Sequence, residues 1–125
     1  MKPNAHRAIE HLKEAVDKTT SQERSNASTF HSAVEYHLRL KGWLVVREFQ
    51  VTGRGDNHQG RIDLVVFCPC RMAIELDNSR IREKSRFKLS LFEGLKFVIL
   101  RETGEVISLN NSVGKEGRVA GPGQE

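Results

Sequence analysis

The chain has 125 residues, with 20 Lys+Arg against 16 Asp+Glu and a formal net charge of +4. This length corresponds to one domain, and 38% hydrophobic residues supply a core without surplus. No apolar run approaches the roughly 18 residues a membrane span needs. Charged residues follow Met1-Lys2-Pro3-Asn4 and only two cysteines are present, so a cytoplasmic protein with reduced thiols and no secretory signal is expected.

Residues 4–19 place Ala5, Ala8, Ile9, Leu12, Ala15 and Val16 at helical spacing, with charged residues on the other face. This amphipathic helix and a linker at 19–22 form an N-terminal extension, residues 1–24. A second helix starts among the N-cap residues at 25–28 and stops at Gly42, with Glu35 among its apolar positions. After Gly42 the period changes. Residues 43–51 (WLVVREFQV) read as a strand, and the glycine-rich stretch at 53–57 reads as a hairpin loop. Residues 61–67 (RIDLVVF) form a second strand and 71–77 (RMAIELD) a third, joined tightly through Cys68-Pro69-Cys70. Asn78 or Ser79 caps a helix running to Phe92, with Ile81, Ser85, Leu89 and Phe92 near one face. Residues 95–100 (LKFVIL) are short and apolar enough for a buried strand, and 105–109 for an edge strand. The core domain therefore spans 25–110, and the glycine-rich tail, 111–125, is expected to be disordered.

Three acids interrupt apolar strands: Asp63, Glu75 and Asp77. An unpartnered buried carboxylate is costly, so such acids end strands, pair with bases or bind a metal. Glu75 and Asp77 are two apart on one strand and share a face. A hairpin through residues 68–70 places Asp63 beside Glu75. Three carboxylates then converge as oxygen ligands suited to Mg²⁺ or Mn²⁺, the ions that neutralise phosphate charge and activate water.

Gly60-Arg61-Ile62-Asp63-Leu64-Val65-Val66, followed by Ile74-Glu75-Leu76-Asp77, resembles the PD-(D/E)xK nuclease superfamily. The resemblance covers residues 28–100. It implies a restriction-endonuclease-like α/β fold with an α-β-β-β-α-β core, a mixed sheet flanked by helices. It also implies that Asp63 and Glu75 bind the metal with the Leu76 carbonyl, and that Glu35 faces the site from the first core helix. Where the superfamily usually has lysine, two residues after the second acid, this chain has Asp77. The resemblance assigns the lysine's role, orienting or deprotonating the attacking water, either to Asp77 or to Lys84 on the next helix.

Residues 80–88 (RIREKSRFK) hold five bases and one acid, a local charge of 5 − 1 = +4, directly after the acidic strand pair. Arg80, Lys84 and Lys88 form one helical row with Arg82 and Arg86 beside it, either a solvated face or a phosphate-binding one. Arg61 and the loop residue Arg54 extend the expected DNA contacts. His31, one turn before Glu35, reads as a surface or satisfied histidine. Cys68-x-Cys70 is too closely spaced for a zinc half-site, even with His58 as a further ligand. The absence of a GxGxxG loop and a Ser nucleophile elbow makes dinucleotide and acyl-transfer enzymes poor readings.

Two functions remain. The first is a Mg²⁺- or Mn²⁺-dependent DNA endonuclease, which the resemblance places in DNA processing, recombination or phage and mobile-element biology. The N-terminal helix would bury its stripe either in a homodimer or on its own core. The second is an inactive module of the same fold that binds DNA or a protein partner. Phosphate contacts alone do not separate DNA from RNA.

Overall fold

A computed structural model describes residues 4–52 and 59–110 of the chain. Its helices are α1 (Ala5–Asp17), α2 (Ser21–Arg24), α3 (Ala27–Leu40) and α4 (Glu83–Ser90). Its strands are β1 (Leu44–Thr52), β2 (Gln59–Cys68), β3 (Met72–Asp77), β4 (Leu95–Leu100) and β5 (Val106–Ser108). They form one mixed sheet in the order β1-β2-β3-β4-β5. β1, β2 and β3 are a consecutive antiparallel meander, β4 runs parallel to β3 after the α4 crossover, and β5 returns antiparallel.

The stripe on α1 is spent inside the chain. Ala8, Leu12, Ala15 and Val16 are buried against Phe30, Val34 and Leu38 of α3 and against Phe97, Ile99 and Val106 of the sheet. That stripe is therefore not open to a second copy. α2 stands where the sequence predicts a linker, because Thr20 and Glu23 make a capping box: Glu23 N donates to Thr20 Oγ1 at 3.1 Å and Thr20 N donates to Glu23 Oε1 at 2.8 Å. α3 begins after Asn26, whose side chain accepts from the Ser28 and Thr29 amides. It ends before Gly42, whose φ of +88° lies in the left-handed region that glycine enters freely.

A second core covers the opposite face of the sheet, where Ala73, Val98 and Leu100 pack with Leu89 of α4 and Phe92. α4 starts later than predicted. Asp77 and Asn78 carbonyls accept from the Arg101 and Glu102 amides at 2.8 and 2.9 Å, which ties the chain to the turn after β4 where the helix was expected to begin. Arg82, not Asn78 or Ser79, is the N-cap. The predicted tail, together with Arg54 and His58, lies outside the described residues. No described helix is long and apolar enough to cross a membrane.

Candidate active site

The acids come together through strand register. Leu64 pairs with Ile74, so the next step brings Asp63 opposite Glu75. Their bonds are reciprocal: Asp63 N donates to Glu75 Oε2 at 2.9 Å, and Leu76 N donates to Asp63 Oδ2 at 2.8 Å. On β1, Arg47 pairs with Leu64 and Phe49 with Ile62, which sets Glu48 opposite Asp63. Glu48, Asp63 and Glu75 thus occupy one transverse row across three strands.

Glu48 has φ of +54°, in the left-handed region, within a strand. The side-chain alternation slips at this row. Trp43 and Val45 join the core beneath α1 and α3, while Phe49 and Val51, at the same parity, join the core beneath α4. Ile62 and Leu64 make the same change on β2.

Glu75 and Asp77 share the α4 face, as their spacing predicts, but Asp77 does not join a carboxylate cluster. Its Oδ2 accepts from the Arg82 amide at 3.0 Å, and its Oδ1 accepts from Arg82 Nε and Ser85 Oγ, both at 2.8 Å. Asp77 thereby holds the start of α4. Ser85 Oγ also lies 3.1 Å from Glu75 Oε1, linking the two acids.

The lysine that reaches Glu75 is Lys88. Its ammonium is 2.8 Å from Glu75 Oε1 and donates to the Arg61 carbonyl at 2.8 Å. Its side chain is only 13% exposed. Lys84 is exposed and makes no hydrogen bond or ion pair with a described residue, because the later helix start leaves it on the first turn. Of the two residues to which the resemblance assigns the water-orienting role, Asp77 is bonded to Arg82 and Ser85 and Lys84 does not reach Glu75, whereas Lys88 does. The predicted row Arg80–Lys84–Lys88 does not form either: Arg80 precedes the helix, Arg82 is bound to Asp77, and Lys88 turns inward. Arg80, Lys84 and Arg86 remain exposed, as does Arg61.

Glu35 is occupied by two guanidinium groups, Arg39 at 2.8 Å and Arg47 at 3.1 Å. One turn earlier, His31 approaches the acids instead. A ring nitrogen of His31 and carboxylate oxygens of Glu48 and Asp63 lie within 4.8 Å of one another. Nε2 of His31 is buried with no hydrogen-bond partner among the described residues. The sequence missed this group. Its single signal was His31 at i−4 from Glu35, and nothing in WLVVREFQV marks Glu48 as left-handed.

Burial pushes the Asp63 carboxyl above its ordinary range, against the Leu76 amide and Lys88, which favour its charge. Glu75 is raised by burial and then by the Asp63 charge, with Lys88 opposing both. Burial, followed by the Arg47 charge, lowers His31, which favours a neutral ring with a lone pair to give.

This donor set suits a divalent cation. A carboxylate offers about four lone-pair sites. Asp63 uses one within the described structure, on Oδ2. Glu75 uses three: two on Oε1 for Lys88 and Ser85, and one on Oε2 for the Asp63 amide. Asp63 is the more open ligand, and Glu75 keeps one site. Leu76, whose carbonyl the sequence offered as a further ligand, pairs with Ile99 in the parallel ladder and gives its amide to Asp63. Comparison with family models, with curated proteins and with solved structures finds no match to this chain.

Proposed function

We propose that the chain is a divalent-metal-dependent endodeoxyribonuclease, a cytoplasmic phosphodiester hydrolase with a restriction-endonuclease-like core. One observation carries the reading. Lys88 arrives from α4 with its ammonium on Glu75, beside Asp63, and so supplies the acid–acid–lysine set that the strand motif lacks at Asp77. The order α3-β1-β2-β3-α4-β4 supports it too, being the α-β-β-β-α-β order that the sequence resemblance implies.

The chemistry follows from these groups. Asp63 and the remaining site of Glu75 would hold Mg²⁺ or Mn²⁺. Such an ion, when bound, supplies Lewis acidity to a phosphate oxygen and acidifies water. Lys88, held against Glu75, places positive charge where a phosphoryl group gathers negative charge during in-line attack. Its contact with the Arg61 carbonyl holds that charge in position. Exposed Arg80, Lys84, Arg86 and Arg61 would hold the DNA backbone. Asp77 and Glu35, each engaged by arginine, act as positioning residues.

The test is nicking of supercoiled plasmid with Mg²⁺ or Mn²⁺. Cleavage should fall by at least about a hundredfold in Asp63→Ala and Glu75→Ala. Intact DNA with every metal and substrate form would remove the enzyme reading.

A second reading has its own observation. Glu75 is fully buried and accepts from an amide, a hydroxyl and an ammonium, as a purely structural ion network would. An inactive module would bind DNA with the same salt dependence in wild type and in Asp63→Ala, without cutting it.

A further inference from the structure

We infer that His31 and Glu48 complete the cation site on Asp63, and that the His31 imidazole makes it prefer Mn²⁺ to Mg²⁺. The inference rests on the reading of Asp63 as a cation ligand and adds two ligands that the strand motif does not contain.

The three side chains come from α3, β1 and β2, and only the fold brings their donor atoms within 4.8 Å of one another. An independent observation is the orphaned His31 Nε2, buried with no partner among the described residues. A buried polar atom left unpaired is destabilising, having lost its bonds to water without replacement. A cation is a partner that both the ring and the adjacent carboxylates would share. Asp63 contributes an oxygen with no bond in the described structure, Oδ1, and Glu48 is exposed, which leaves the site an open side. One imidazole with two carboxylates is a mixed nitrogen and oxygen set. Mg²⁺ prefers oxygen ligands and retains its waters, whereas first-row transition ions accept imidazole readily.

The experiment is calorimetric titration of the full chain with Mn²⁺ alone and with Mg²⁺ alone, without DNA. Wild type should bind Mn²⁺ at least tenfold more tightly than Mg²⁺. His31→Ala and His31→Gln should lose most of that difference, and Glu48→Gln should weaken both ions. A readout on wild type avoids dependence on folding of the variants: substoichiometric Mn²⁺ should broaden the His31 ring signals in NMR spectra and leave those of exposed His6 sharp. Equal Mn²⁺ affinity in wild type and in folded His31→Ala, or an unbroadened His31 ring, would overturn the inference, and cleavage dependent on Asp63 and Glu75 could still stand. Binding that follows His31 in a protein that cuts no DNA would support this site and remove the nuclease reading instead.

Discussion

The Lys88 ammonium lies 2.8 Å from Oε1 of Glu75, although the strand carrying Glu75 has an aspartate where the resembled motif has lysine. The cation reaches the acid from the last turn of α4, and its position is set by the Arg61 carbonyl on the neighbouring strand. The lysine's place is therefore a property of the helix–sheet packing.

Lys88→Ala should lower stability by about 3 kcal/mol, because it leaves Glu75 buried without its nearest counter-charge. It should also abolish cleavage. Lys84→Ala should leave thermal stability unchanged, weaken DNA binding and lower the slope of its salt dependence by about one. Paired melting curves and binding isotherms separate the two lysines. Equal effects of the two substitutions would refute the assignment to Lys88.

Gly60 gives a second handle on the same lysine. A Cβ at Gly60 would lie 2.7 Å from both Cγ and Cδ of Lys88. These atoms sit mid-chain, and the far end is already tied to Glu75 and Arg61. Gly60→Ala should push the ammonium off Glu75 and lower kcat more than it raises KM. Unchanged kcat in a folded Gly60→Ala protein would mean that Lys88 takes no part in the chemistry.

Asp63→Asn should raise the melting temperature of the metal-free protein while removing Mn²⁺ binding. The amide oxygen still accepts from Leu76 N, and the repulsion with Glu75 disappears. A gain on the order of 1 kcal/mol, a few degrees, is expected near neutral pH. Asp63 and Glu75 are both raised above their ordinary values of 3.8 and 4.5, so protonation stabilises the fold. That contribution is complete below the ordinary values and is lost as pH rises through the raised ones. The advantage of Asp63→Asn should therefore shrink as pH falls toward 4, which scanning calorimetry over a pH series would reveal.

Asp77→Asn distinguishes a base from an anchor. As an anchor for Arg82 and Ser85, Asp77 should lose one of its bonds to the start of α4 and cost about 1–2 kcal/mol. Cleavage should fall by no more than about tenfold, and the pH–rate profile should keep its shape. Loss of the acidic limb of that profile would restore Asp77 as the base.

Much of this was legible in the chain. The strands, the partnership of Asp63 with Glu75 and the crossover helix follow from acids set in apolar alternating segments and from tight turns. The start of α4 was not legible, because Asn78 and Ser79 are good caps locally and only the long-range bonds of the Asp77 and Asn78 carbonyls to the Arg101 and Glu102 amides hold the chain out of the helix there. With the helix expected to begin early, Lys84 fell about a turn and a half into it, whereas in the structure it lies on the first turn. The approach of His31 to Glu48 was hidden for another reason. Core membership at Val45 and Phe49 has the same parity, so a break in alternation at Glu48 leaves no trace in hydrophobic pattern.

The exchanged bonds between β2 and β3 also bear on how the hairpin finds its pairing. Slipping one strand by a residue turns every side chain to the other face. Here it would in addition separate Asp63 N from Glu75 and Leu76 N from Asp63, stranding two carboxylates among apolar neighbours. Misalignment is thus penalised at the very atoms proposed for the chemistry. The acids work as a key cut for a single register, and a chain that folds at all has already aligned them.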